Sequence, residues 1–187
     1  MMKTIKTIKT IKPTPRTSTG FQDVVHSVSG SLNLTVVDSI SGEVRNTLHL
    51  NNVVVNTGKA YIASCLAGSP RKVDYIALGL TKVNAVNTDI KLDGEITRKL
   101  IQEVIYVEGT PYVTYTATFE PGIATGPISE AGIIRSLLPE EDDEVVFDSP
   151  SVIIAPNNEM LLSRTVFPMV NKRSIDSVTI DWTITIN

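Results

Sequence analysis

Val178-Thr179-Ile180-Asp181-Trp182-Thr183-Ile184-Thr185-Ile186-Asn187 closes the chain, and its alternation decides the fold class. Val178, Ile180, Trp182, Ile184 and Ile186 are apolar, whereas Thr179, Asp181, Thr183 and Thr185 between them are polar. A period of two, rich in β-branched side chains, puts one set of residues on a buried face and the other toward solvent, as a half-buried antiparallel strand requires. A helix would scatter the same residues around its circumference.

Upstream, the same logic recurs. Leu32, Leu34 and Val36 alternate before a turn at Ser41-Gly42, and Val44, Leu48 and Leu50 continue on a return strand that Asn46 interrupts, which predicts a hairpin. Val53 to Val55 extend that run. Asn56 or Thr57 is the expected cap of a short helix over 59–67, with Ile62 and Leu66 spaced by four, Cys65 beside them, and Gly68 and Pro70 ending it. Val73 to Leu80 is read as a well-buried strand, and a polar loop through Asn84, Asn87 and Asp89 follows. Arg98 to Val107 and Tyr112 to Phe119 are read as a long hairpin about Glu108-Gly109-Thr110-Pro111. Further strands are expected over 128–134, 145–148, 152–154 and 160–167, with Lys172 and Arg173 in the loop before the last strand. Many short strands and one helix predict an all-β fold, an antiparallel β-sandwich with an extended N-terminal arm.

The chain has 187 residues, 42% of them hydrophobic, enough for one compact domain over 30–187 preceded by an arm and linker over 1–29. No stretch approaches the roughly 18 apolar residues of a membrane-spanning helix, and Lys and Thr interrupt the N-terminus where a secretory signal would be apolar. The reading is therefore no membrane and no export. Cys65 is the single cysteine, which rules out an internal disulfide, suits a reducing cytoplasm and reads as a small buried hydrophobe.

The net charge of −3 conceals an asymmetry. Lys3, Lys6, Lys9, Lys12 and Arg16 meet no acid in the opening segment, so 12 basic residues face 20 acids in the remainder. Lys-Thr-Ile recurs three times before Pro13 and Pro15, and a period of three matches neither strand nor helix but is compatible with an extended or polyproline-like conformation. The arm is read as a tether lying on an acidic neighbouring subunit, its partner-binding residues being Lys3, Ile5, Lys6, Ile8, Lys9, Ile11, Lys12 and Arg16, in preference to a solubilising tail. A basic arm without interleaved aromatics is a weak nucleic-acid footprint, and no nucleic acid is expected.

No motif for chemistry emerges. Thr57-Gly58-Lys59-Ala60 lacks the upstream Gly and the Ser or Thr of a phosphate-binding loop, and two histidines, His26 and His49, cannot build a three-histidine metal centre. No catalytic, cofactor or metal residue is assigned, and the chain reads as non-enzymatic. The acidic run Glu140-Glu141-Asp142-Asp143-Glu144 is weighed as a cation or basic-arm site against a solvated loop, the latter favoured. Asp89, Asp93 and Glu95 around Gly94 lack calcium-loop spacing and read as a polar turn. Glu130 and Arg164 lie beside apolar segments where a lone charge is costly, so ion pairs are expected, with Glu95 and Arg98 as further partners.

Several segments, in order, carry a family resemblance: Asn56-Thr57-Gly58-Lys59-Ala60-Tyr61-Ile62-Ala63, Tyr75-Ile76-Ala77-Leu78-Gly79, Leu92 through Arg98, Ile128-Ser129-Glu130-Ala131-Gly132-Ile133, Met160-Leu161-Leu162-Ser163-Arg164-Thr165 and Val178 through Ile184. Together they resemble a small β-rich, virion-associated structural protein of tailed bacteriophages, over about residues 50–187. Leu80 and Thr81 stand where such proteins often carry a Gly-Thr-Gly turn. The resemblance implies a non-enzymatic homo-oligomeric component of the neck or collar, tail or capsid surface (a capsid decoration), assembled in the host cytoplasm. Its partners would be other virion proteins and copies of itself. The alternative is a glycan-binding, receptor-recognition module of a phage tail, in which Tyr106, Tyr112 or Tyr115 would stack on a host surface glycan; as plain strand residues they need no such role.

Overall fold

The computed structural model describes residues 28–68, 72–136 and 159–187. The arm residues Lys3 to Arg16, the acidic run 140–144 and the strands expected over 145–148 and 152–154 lie outside the described residues. The described chain forms β1 (Val28–Asp38), β2 (Val44–Val54), α1 (Asn56–Leu66), β3 (Tyr75–Gly79), β4 (Glu95–Leu100), β5 (Glu103–Tyr106), β6 (Tyr112–Phe119), β7 (Gly126–Ser136), β8 (Glu159–Lys172) and β9 (Asp176–Ile186).

All strand pairs are antiparallel, in the order β4-β3-β7-β8-β2-β1-β9-β6-β5. The corner is β2, whose residues through Asn52 pair with β1, while Val53 and Val54 pair with Arg164 and Ser163 of β8. The sheet is thereby curled as a half-barrel, and its two halves face each other like the layers of a sandwich. Leu32, Leu34 and Trp182 from one half share a core with Ile76, Leu78 and Ile133 from the other.

The alternation in β9 is realised as read: Val178, Ile180, Trp182 and Ile184 are buried, and only Ile186, at the strand's end, is open to solvent. On the opposite face the polar residues bond across strands, Thr114 to Thr183 at 2.9 Å, Thr118 to Thr179 at 3.0 Å and Thr116 Oγ1 to Asp181 Oδ1 at 2.8 Å. A buried indole N–H needs an acceptor. With its amide oxygen turned to the indole, Asn52 accepts from Trp182 Nε1 at 2.7 Å and donates to Ser163 Oγ at 2.9 Å. Gly30 leaves room for that amide, since a Cβ there would stand 2.1 Å from it.

Four expectations are corrected. The strand read over 98–107 is two strands: β4 ends at Leu100 beside β3, and β5 begins at Glu103 beside β6. Between them Ile101 N donates to Asp74 O at 2.8 Å and Gln102 N to Thr116 O at 2.9 Å, so the chain steps from one edge of the curled sheet to the other. The helix starts at Asn56, with Val55 as its N-cap and no capping side chain, because Thr57 Oγ1 donates instead to Leu161 O at 2.7 Å. Leu66 is 85% exposed and Cys65 half-buried, since α1 lies directly on β8 at Gly58 and turns Tyr61 and Ile62, not Leu66, against the core. Lys172 closes β8 and is fully buried, with Nζ donating to Glu120 O at 3.0 Å; burial lowers its pKa.

At the end of the sheet where β8 turns into β9, the carboxylate of Asp176 is enclosed by Arg45 at 2.9 Å and Arg173 at 2.8 Å, and Arg173 also reaches Asp38 at 2.7 Å. The side-chain hydrogen bonds from Arg173 lower the Asp176 pKa from 3.8 to about 2, against the opposing effect of burial. A depressed carboxyl pKa stabilises the fold above its unfolded value and ceases to do so as pH falls through the folded one. Asp176→Asn is therefore expected to lower the melting temperature at pH 7, with the difference from wild type shrinking as pH falls from about 4 to 2. Thermal melts across that range test it; a gap that stays constant refutes it.

Candidate interaction site

Two places on the described surface combine exposed apolar side chains with a defined geometry, and the more constrained is the loop over 80–94 between β3 and β4. Sequence gives that loop no period, yet it is pinned at several points. Leu92 is buried over Gly132, where a Cβ would stand 2.4 Å from Leu92 Cδ1, and joins Val55, Ala77, Ile134 and Leu161 in a small second core on the outer face of the sheet. Asn56 N donates to Asn87 O at 2.8 Å, and Thr81 N to Ser129 Oγ at 3.0 Å.

The central clamp is Arg164 on β8, whose side chain is completely buried. Nε donates to Glu130 Oε1 at 2.6 Å, Nη1 to Asp89 Oδ2 at 2.6 Å and Nη2 to Asp93 Oδ2 at 3.0 Å. Nη2 also reaches Val83 O at 3.2 Å, so the guanidinium holds loop backbone as well as loop carboxylates. Glu130, equally buried, accepts from Asp93 N at 2.9 Å and Gly94 N at 3.1 Å. Burial opposes the Arg164 charge, but the hydrogen bonds to Asp89 and Glu130 outweigh it and raise the pKa. Gly79 and Gly94 permit this close approach: a Cβ on Gly79 would stand 2.6 Å from Glu130 Oε2, and one on Gly94 2.1 Å from Leu80 O.

The expected Glu130–Arg164 pair is thus present, and Glu95 and Arg98 pair with each other, with Glu159 as a further partner of Arg98. Those carboxylates raise the Arg98 pKa. In the acidic turn, Asp89 and Asp93 pair with Arg164, and Glu95 pairs with Arg98. Among the described residues no group of three or more His, Cys, Asp or Glu side chains is placed to hold a metal ion. Among the polar side chains that the clamp leaves outside, Lys82, Asn84, Asn87, Thr88 and Lys91, stand three apolar ones: Val83, Val86 and Ile90 are 62%, 49% and 68% exposed.

The second place is a cleft of about 310 Å³ at the open end of the half-barrel. The β5–β6 hairpin brings Tyr106, Tyr112 and Tyr115 to it, the three tyrosines singled out from sequence, and α1 adds Tyr61, which sequence reading missed. Ile184 and Ile186 of β9 and Leu162 of β8 complete an apolar lining. Val104 and Tyr106 are exposed on the side of β5 shared with Val113 and Tyr115, at one end of the strand order. Burial, then interaction with Cys65, raises the pKa of Tyr61 and of Tyr115. Arg135 lies over the Tyr61 ring, 5.4 Å from its centroid.

No family model matches this sequence, and no curated protein or solved structure is similar enough to be counted a relative.

Proposed function

We propose that this chain is a non-enzymatic structural protein of a tailed-phage virion, present in several copies on the neck or collar, tail or capsid surface and tethered by its N-terminal arm. The ordered segments that resemble such proteins include those that carry the clamp, Glu130 and Arg164. The observation that carries the reading is the loop over 80–94. A buried arginine and a buried glutamate hold an irregular loop whose outward side chains include Val83, Val86 and Ile90 among polar neighbours such as Lys82, Asn84, Asn87, Thr88 and Lys91. A rigid loop presenting apolar side chains loses little conformational entropy when a partner covers it, and exposed apolar patches mark protein contacts. Repetition of one such contact around a symmetry axis builds a ring or collar without chemistry.

Replacing both Val83 and Ile90 with Asp tests this. The variant is expected to melt like wild type, because both side chains are exposed, yet to fail to enter particles and to lose the fixed copy number measured for wild type by light scattering and particle composition. Incorporation equal to wild type overturns the reading. The meeting of Tyr106, Tyr112, Tyr115 and Tyr61 at one cleft favours a second reading, stacking on host glycan. The lining offers only Thr110 and phenolic hydroxyls to a sugar's many hydroxyl groups, so the assembly reading takes precedence.

A further inference from the structure

Strands β4 and β5 end the strand order, so each leaves one edge without a strand partner among the described residues, and the two edges are built differently. The β4 edge is guarded. Its register on β3 shifts between Leu78 and Gly79, and it carries Arg98 and Lys99, held by Glu95, Glu159 and Glu120. Irregular register and edge charges are the devices by which sheets discourage edge-to-edge pairing. The β5 edge has neither: its register on β6 runs unbroken, residues 101–110 include no Lys, Arg or Pro, and Val104, Ile105, Tyr106 and Val107 are 55%, 43%, 64% and 51% exposed. We propose that β5 pairs antiparallel with β5 of a second copy of this chain about a two-fold axis, joining two half-barrels through one continuous sheet.

Two observations name that occupant. First, apolar rows that begin in the core run out to this edge with no polar residue to close them. Trp182, Tyr115 and Val104 lie in register across β9, β6 and β5, as do Ile184, Val113 and Tyr106. The β9 members are buried and the β5 members exposed. On the reverse face, Ile105 stands in the row of Thr183 and Thr114, so β5 is apolar on both faces, the composition of an edge that invites another strand. Second, the strand complements itself. A two-fold axis perpendicular to the sheet sets one residue opposite its own copy. With Ile105 there, Val104 faces Tyr106 of the partner subunit, Glu103 faces Val107 and Gln102 faces Glu108, so no two carboxylates meet. Each apolar row is then continued by the other, β-branched against aromatic. Centring on Tyr106 would set Glu108 against Val104 and draw in Val107, whose carbonyl already accepts from Thr110 N at 3.0 Å in the turn. The β4 edge of a second copy is a poorer match, because its cations are already paired. One short strand makes a small contact, so the dimer is weak, and repetition in an array multiplies it.

Sedimentation of the full chain reads the proposal, with Val83→Asp/Ile90→Asp present throughout so that the loop over 80–94 adds no contact of its own. That chain is expected to pass from monomer to dimer, and no further, as its concentration rises. Adding Ile105→Lys or Ile105→Glu sets like charges together on the axis and is expected to weaken dimerisation at least about tenfold, with thermal melts unchanged because the side chain is exposed. The Lys and Glu variants mixed in equal amounts at low salt are expected to regain the dimer, since opposite charges then meet. A chain that stays monomeric at every concentration overturns the proposal, as does a dimer indifferent to both Ile105 substitutions or a mixture that does not associate. Open-ended growth with concentration also overturns it, and gives the β5 edge to β4 of the next copy. No outcome depends on particles, so this contact and the virion reading tested at Val83 and Ile90 fail or stand separately.

Discussion

Arg164→Met is expected to lower the free energy of unfolding by about 3–5 kcal/mol, the usual cost of leaving a buried charge without its partner. Methionine fills much of the same volume, so the loss comes from the charges and not from a cavity. Glu130 would remain completely buried with no counter-ion among its contacts, keeping only the amide bonds from Asp93 and Gly94. Asp89 and Asp93 are 17% and 42% exposed, so water can solvate them and they add less to the penalty. Urea unfolding followed by Trp182 fluorescence at neutral pH measures the effect. The double variant Arg164→Met/Glu130→Gln is expected to recover part of the loss, since the second substitution removes the stranded charge. A single variant as stable as wild type would mean that Arg164 contributes nothing to the fold, and with it would go the view that the clamp shapes the loop over 80–94.

That network shows how far the sequence could be read. Each charge in it was visible, and the pairing of Glu130 with Arg164 follows from placing two ionised groups in apolar strands, where each needs the other. The roles of Asp89 and Asp93 were not legible. They lie some seventy residues before Arg164 and stand in a stretch without periodicity, so only the register of β7 on β8, which sets Gly132 opposite Arg164, brings the guanidinium under the loop. Strand β9 was readable because one of its faces is buried and the other bonds only to polar neighbours, so its pattern is local. The break at Ile101-Gln102 was hidden for the opposite reason: β4 and β5 both tolerate mixed side chains at sheet edges, and nothing local distinguishes one long edge strand from two short ones. Lys172 illustrates the limit of composition, since a lysine near a turn ordinarily reaches water, whereas here the carbonyl of Glu120 receives it in the interior. The tyrosines of the β5–β6 hairpin were visible one by one; their meeting with Tyr61 depends on α1 crossing β8, a contact made by a residue with no side chain.

That residue, Gly58, is the position where the smallest possible change is expected to matter most. A Cβ on Gly58 would stand 2.0 Å from Leu162 O and 2.8 Å from the Leu162 carbonyl carbon, contacts with backbone that no rotamer change can relieve. Elsewhere, replacing a helical glycine with alanine favours the helix by about 0.5–1 kcal/mol. Here α1 would have to withdraw from β8, breaking the bond from Thr57 Oγ1 to Leu161 O and the one from Val55 N to Leu162 O. Overpacking of this kind costs about 1–3 kcal/mol, more than the helical gain, so Gly58→Ala is expected to destabilise the protein by about 2 kcal/mol net. Withdrawal would also move Tyr61 and Ile62 away from the cleft they share with the hairpin. Thermal melts of the variant beside wild type test this. Stability equal to or above wild type would show that α1 tolerates displacement and that its glycine has no packing role. Thr57-Gly58-Lys59-Ala60 then has a physical meaning unrelated to phosphate: a threonine and a glycine that let a helix lie directly on a strand, with Lys59 and Ala60 exposed on its far side.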